Sequence, residues 1–339
     1  MEPSFAERVL SIQSHVVYGY VGGKAAIFPL QCLGYDVDVV NTVHFSNHSG
    51  YGRSQGTKAT TAELNAIFEE LESNELMIPT RLLTGYVPSA EGLSAVANLA
   101  RKLKSERPSL IYLLDPVMGD AGKLYVSADV IPIYREMLPL ATIISPNWFE
   151  VETLTDTKLE DLPSLRKALS ILHERFHVPN VVVSSIPLTP WLSLALPSAI
   201  EQFAQERPIL YAQSVPFIPH YFSGVGDLFS ALLLAHFPRP VASNTDIPLE
   251  SALKCPIAHA AAHALAITHH ILRLTHAHAT SLPEHERLST DDEADALEPL
   301  RKTRRMRGRE LRLIQGQAAI RGVGVDVKPM VAWEDFWDS

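Results

Sequence analysis

Cysteine is almost absent. Cys32 and Cys255 are the only two in 339 residues, too few and too far apart for a disulfide framework or a zinc-ligand spacing. A reducing compartment is the simplest reading. No run of about 18 apolar residues occurs, which excludes a helical membrane span. Positive charge is in deficit: 29 Lys and Arg face 38 Asp and Glu, a formal net charge of −9. That balance disfavours a nucleic-acid partner, which needs a basic surface. The opening stretch, MEPSFAERVLSIQS, has an early acidic residue and no apolar core of a signal peptide, so a cytoplasmic location is expected. What the chain does have is 46% hydrophobic and 20% charged residues, an ordinary globular balance. The length suits one large α/β domain or two smaller ones.

Short apolar runs alternate with helical patterns along most of the chain. Residues 8–13 and 35–41 read as strands, and 23–33 between them as a helix stopped by Gly34. Further strands are expected at 81–84, 110–114, 141–144 and 180–184, with helices at 61–71, 90–103 and 162–173. Repeated β-α-β units predict a mostly parallel central sheet with helices on both faces. Ligands in such sheets sit beyond the C-terminal strand ends. The stretch 281–309 differs, an acidic block followed by a basic one with little apolar character. It is expected to be a mobile insertion that buries no face. Its basic run, 301–309, reads first as solvated surface and second as a nuclear-import or partner-binding patch. Residues 310–339 regain apolar character and are expected to pack back on the domain formed by 1–280.

Several polar groups follow the strands. Gly224, Val225, Gly226 and Asp227 form a Gly-X-Gly-Asp turn before an apolar helix. Glycines let backbone N–H groups approach a ligand, and a helix N-terminus attracts anions. Taken alone, the same turn better suits a loop end with an acid favouring the helix dipole. Asp115 closes an apolar strand and Asp120 follows it. Carboxylates there suit Mg²⁺ beside phosphates, or an ordinary polar turn. Asn147 and Glu150 lie three apart, as do the two members of a helix cap. The apolar run 181–185 ends in two hydroxyls, Ser184 and Ser185, that can meet a nucleotide phosphate or a monovalent cation. The segments 11–23, 45–51 and 83–86 offer aromatic faces with a few hydroxyls, a composition fitted to a small aromatic polar ligand. A helix near 257–279 carries six histidines, among them His259 and His263 at i, i+4. No third ligand for a metal is evident, and a packed or solvated helix face is the simpler reading.

The stretches VLSIQSH (9–15), GYVG (19–22), FSNHSGY (45–51), LTGY (83–86), DPVMGD (115–120), SPNWFE (145–150) and GVGDLF (224–229) together resemble the eukaryotic pyridoxal kinases of the ribokinase-like superfamily. They arrive in that family's order over roughly residues 8–280, and ELRLIQ (310–315) is similar to its C-terminal segment. The resemblance implies phosphorylation of the 5′-hydroxymethyl group of pyridoxal, pyridoxine and pyridoxamine by ATP with Mg²⁺, activation by K⁺, and a homodimer. It implies Ser14 as a hydrogen-bonding partner of the pyridine ring. Val21, Phe45 and Tyr86 would be the walls of the ring pocket, with Ser49 where the family often has threonine. Asp227 is implied as base, with Gly224, Val225 and Gly226 as the amides of an anion hole. Asp115, Asp120, Asn147 and Glu150 fall on the metal and phosphate side. Ser145 and Ser184 match cation-site hydroxyls, and Ser185 and Tyr125 match nucleotide contacts.

Three departures stand out: Val225 replaces a usual threonine, the stretch from Asp120 to Tyr125 is short for a nucleotide lid, and the 281–309 insertion has no counterpart. Two other readings are weighed. A hydroxymethylpyrimidine-type kinase would share the Gly-X-Gly-Asp end but not the pocket of Ser14, Phe45 and Tyr86. A weakened, regulatory B6-binding protein is suggested by Val225 and opposed by the retained Asp227.

Overall fold

The computed structural model describes residues 7–186, 189, 191–192, 209–238 and 255–337. The opening residues 1–6, part of the stretch read for a leader, lie outside them. Six strands form the main sheet: β1 (Arg8–Val16), β2 (Asp36–Phe45), β3 (Gly56–Lys58), β4 (Arg81–Thr84), β5 (Ile111–Leu114) and, after a small hairpin, β8 (Ile143–Ile144). Their order is β3-β2-β1-β4-β5-β8. All neighbours are parallel except the edge pair β2–β3. The hairpin strands are β6 (Gly119–Asp120) and β7 (Lys123–Leu124).

Period-2 alternation sorts the side chains to the two faces. In β5, Tyr112 and Leu114 join Leu10, Ile12, Leu82 and Ile144 in one apolar cluster, with helices α2 (Thr61–Ser73), α3 (Ala90–Glu106) and α5 (Trp148–Thr155) supplying Phe68, Val96 and Leu154. Ile111 and Leu113 point the other way, with Val9, Leu83 and Ile143, against α1 (Gly23–Cys32) and the helices Val225–His236 and Pro256–Ser281. Both faces of the sheet are thus buried, as a parallel sheet requires. Among the described residues, no helix is long and apolar enough to cross a membrane.

Two expected elements differ from the structure. The strand at 180–184 contributes a single parallel bridge, Ile144 to Val181. The helix expected to reach 173 is α-helical over Leu162–Ser170 and passes into a wider π turn over Ile171–Arg175. In the histidine-rich helix, the His259 and His263 rings lie 4.3 Å apart and His263 stacks on His236 at 4.8 Å.

The stretch 281–309 also needs correction, because it does bury side chains. It forms two short helices, Asp292–Leu297 and Pro299–Arg307. Asp295 pairs with Arg301 at 2.6 Å and with Arg305 at 2.6 Å. Arg305, Met306 and Arg309 are buried. An apolar period is not needed when arginine stems bury themselves and their heads are paired. Hydrogen bonds from Arg305 and Arg301 hold the Asp295 carboxyl down to about 2. Asp295→Ala should therefore release both arginines and speed tryptic cleavage within 301–309. Equal cleavage of the two proteins would show that other contacts hold the segment.

Candidate active site

The polar groups singled out above gather at the C-terminal ends of the parallel strands. Strand-like hydrogen bonds run past each strand and carry the ends forward in step. Gly85 N–H donates to Ile12 O, Asp115 N–H to Thr84 O, Ser145 N–H to Leu114 O and Ser184 N–H to Pro146 O, at 2.9–3.1 Å. Ser14, Phe45, Tyr86, Asp115 and Ser145 therefore line one edge.

Helix Val225–His236 points its N-terminus at that edge. Gly224 precedes it in the left-handed region at φ +79°, where only glycine is unstrained. A methyl on Gly224 would lie 2.0 Å from Tyr20 O, so the turn and the 17–22 loop are in backbone contact. Asp227 sits in the first helical turn and accepts a 2.7 Å hydrogen bond from Gly22 N–H. Gly22, at φ +53°, packs on Ser14: a methyl there would fall 2.2 Å from Ser14 Oγ. Ser14, Gly22 and Asp227 are thereby joined in one short chain of contacts. Burial pushes the Asp227 carboxyl above its usual range, against the opposing effect of the Gly22 bond.

One turn further, Ser230 Oγ donates to Asp115 Oδ2 at 2.9 Å. This links helix Val225–His236 to the end of β5. Sequence reading missed Ser230; its signal is a lone polar residue three after Asp227 in an apolar helix, hence on the same face. Asp115 is buried, and its pKa is raised by desolvation and by the charges of Glu150 and Asp227. Glu150 is buried as well, and desolvation lifts it to about 7. Burial and mutual repulsion thus favour neutralising these acids, by a proton or by a cation.

Asn147 and Glu150 form a reciprocal capping box at the start of α5. Glu150 also accepts from Met118 N–H at 2.9 Å, while Asn147 Nδ2 donates to Gly119 O at 2.8 Å. The cap therefore fixes the hairpin that carries Asp120. That hairpin turns on Ala121 and Gly122, both at positive φ, the conformation of a two-residue hairpin turn. The segment expected to cover the nucleotide is thus a compact hairpin, with Tyr125 exposed beyond it. Ser145 Oγ is buried with no hydrogen-bond partner among the described residues, whereas Ser184 is half-buried and Ser185 exposed. Val21, Phe45 and Tyr86 are half-buried, while Ser49 is exposed on the turn Ser49–Tyr51. Val225 packs its methyls against the apolar cluster under the helix.

Arg81 is a second residue that sequence reading did not find. It is 2% exposed and donates from Nη1 to Leu234 O and Phe237 O, each at 2.8 Å. Those carbonyls close the far end of helix Val225–His236. The guanidinium satisfies orphan carbonyls and favours the negative end of the helix dipole. Nothing local to a strand-leading arginine announces that role.

Comparison with known proteins agrees with this geometry. The phosphomethylpyrimidine kinase family model matches residues 32–245. A pyridoxal kinase from Arabidopsis thaliana is 38% identical over 327 residues, spanning 96% of this chain and 95% of the relative. The pyridoxal kinase of Ovis aries is 41% identical over 238 residues, 67% of this chain and 76% of the relative. Among solved structures, pyridoxal kinase from Leishmania donovani in complex with ADP and pyridoxine superimposes with a TM-score of 0.73 at 29% identity, covering 96% of this chain and 98% of that one. The same enzyme with ADP and pyridoxamine gives a TM-score of 0.73 at 28% identity, covering 96% and 99%. With a relative above one-third identity over nearly the whole length of both chains, and a solved pyridoxal kinase sharing the fold, the chain belongs to the pyridoxal kinase family.

Proposed function

We propose that this protein transfers the γ-phosphoryl group of ATP to the 5′-hydroxymethyl group of pyridoxal, and likewise of pyridoxine and pyridoxamine. The observation that carries this reading is the contact chain from Ser14 through Gly22 to Asp227, at the N-terminus of a helix aimed at the strand ends. It supports reading Ser14 as the pyridine-binding hydroxyl, Asp227 as the base and the helix-start amides of Gly224, Val225 and Gly226 as the anion hole. Val21, Phe45 and Tyr86 wall the ring. The relatives named for pyridoxal favour this reading over the pyrimidine kinase alternative.

In the transfer the 5′-oxygen bonds to the γ-phosphorus, the bond from that phosphorus to the β,γ-bridging oxygen breaks, and ADP leaves. The hydroxyl proton passes to Asp227. Its carboxyl, raised by burial, is a better base than an exposed aspartate. Amides of Gly224, Val225 and Gly226, which have no partners within the helix, stabilise the equatorial oxygens. Positioning and charge stabilisation are the main demands of phosphoryl transfer.

Mg²⁺ is proposed beside Asp120, with Asp115 and Glu150 behind it. Among the described residues no three His, Cys, Asp or Glu side chains close into a metal cage. That suits Mg²⁺, which is held by one or two carboxylates together with substrate phosphates. When bound it would neutralise charge on the β- and γ-phosphates. The buried Ser145 Oγ, without a hydrogen-bond partner among the described residues, is an acceptor that K⁺ would satisfy, with Ser184 and backbone carbonyls nearby. Ser185 and Tyr125 are proposed on the nucleotide side, and a homodimer is the proposed assembly.

A coupled assay for pyridoxal-dependent ADP release, with detection of pyridoxal 5′-phosphate, tests the function. Turnover of hydroxymethylpyrimidine in preference to pyridoxal would defeat it. Val225 offers a second test. Its side chain cannot donate a hydrogen bond, and one to a charged group is worth about 1.5–3 kcal/mol. Val225→Thr should raise kcat/KM for ATP roughly tenfold. An unchanged value in steady-state kinetics would mean that the methyl packing holds the side chain away from the phosphates.

A further inference from the structure

We propose that Glu310 is a positioning residue for the transfer, clamping the two loops that frame the vitamer pocket and, through one of them, aligning Asp227. The inference rests on the kinase reading of the site. The loops 17–22 and 45–51 already run edge to edge, Val17 N–H donating to Phe45 O at 2.8 Å and Tyr18 N–H to Ser46 O at 2.9 Å. Glu310 enters from the far end of the chain and binds both. Its Oε2 accepts from Tyr20 N–H at 2.8 Å. Its Oε1 accepts from Tyr51 Oη–H at 2.6 Å and pairs with His48 Nε2 at 2.9 Å. His48 Nδ1 accepts from Gly50 N–H at 3.2 Å, which leaves Nε2 to carry the proton and donate.

The clamp is built to fit. The Glu310 side chain is 13% exposed, and a methyl on Gly19 would lie 2.6 Å from its Oε1. Gly19, at φ +94°, keeps that space open. Burial alone would raise the carboxyl's pKa, but the bonds from His48, Tyr51 and Tyr20 leave it lowered. Charge-assisted bonds of this kind are the strong ones. Two residues beyond the clamped Tyr20 amide, Gly22 N–H holds Asp227 at 2.7 Å. Glu310 itself need touch neither substrate. It sets the register of the loop on which Val21 faces the ring and Gly22 faces the base.

The test is steady-state kinetics on Glu310→Ala and Glu310→Gln in the full chain, with both substrates varied. Glutamine keeps the volume but offers one acceptor oxygen for three donors. Loosened loops should raise KM for pyridoxal and lower kcat, each roughly tenfold for alanine, with a smaller effect for glutamine. KM for ATP should stay within about twofold, because the nucleotide side rests on β5, β8 and α5. Tyr51→Phe should show the same split, and combined with Glu310→Gln it should add less than its own effect. A role confined to stability would lower Tm while leaving kcat and both KM values of the folded enzyme unchanged; that result overturns the proposal. Should the alanine variant not fold, the glutamine and phenylalanine variants decide in the same way. Absence of pyridoxal turnover in the wild-type protein would overturn the kinase reading and this inference with it. Wild-type turnover with unaltered variants overturns the inference alone.

Discussion

Asp227→Asn is expected to lower kcat for pyridoxal by about 10²-fold or more, with nucleotide affinity held within about twofold. Asparagine keeps the shape of the side chain, and its Oδ1 can still accept the Gly22 N–H bond that positions Asp227. Only the capacity to take a proton is lost. Burial raises the pKa of the carboxylate it replaces, so on the proposed mechanism the substitution removes a stronger base than an exposed aspartate. Calorimetric titration with an ATP analogue, run beside the kinetic measurement, separates binding from chemistry. A near-normal kcat would remove Asp227 from the role of base.

Gly224→Ala should be nearly as damaging, for a steric reason. An alanine forced to φ +79° costs about 1–2 kcal/mol in backbone strain. Its methyl would also meet Tyr20 O at 2.0 Å and Val21 Cα at 3.2 Å. Both are backbone atoms and cannot swing aside. Relief requires moving the loop that delivers Gly22 to Asp227, and a misplacement of about 1 Å at a reacting centre can cost 10²-fold in rate. A loss of about that size in kcat/KM is expected, with Tm lowered by a few degrees. Gly226→Ala is the control for the steric argument. Among the described residues, nothing beyond its own turn of helix lies within 4 Å of the methyl it would add, so its Tm should match the wild type. Equal Tm losses in the two variants would show that glycine is needed at this turn for some reason other than the Tyr20 contact.

The sheet was legible because its signals are local. Residues 81–84 and 110–114 alternate cleanly between faces, and the observed β4 and β5 match them to within a residue. The motifs after the strands were legible for the same reason: Asp115, Asn147 and Asp227 are announced by the elements they end or begin. What escaped were partnerships across long separations. Arg81 reads as the start of a strand, yet its function lies with two carbonyls more than 150 residues away. Ser230 reads as an ordinary helix residue until Asp115 is placed beside it. Edge strand β3 is three exposed residues, too short and too polar for periodicity to reveal. The segment 281–309 misled because apolar spacing was the criterion for burial, whereas Asp295 buries its arginines by charge pairing.

The span of these contacts along the chain carries a kinetic consequence. Asp227 meets Gly22 across 205 residues, and Glu310 meets Tyr20 across 290. Closing loops of that size is entropically costly and slow, and it must follow the formation of the nearer β-α-β units. During refolding from denaturant, helical signal should therefore return well before any turnover. Enzymatic activity becomes a clock for the last step of assembly, when Glu310 reaches Tyr20 and Asp227 reaches Gly22.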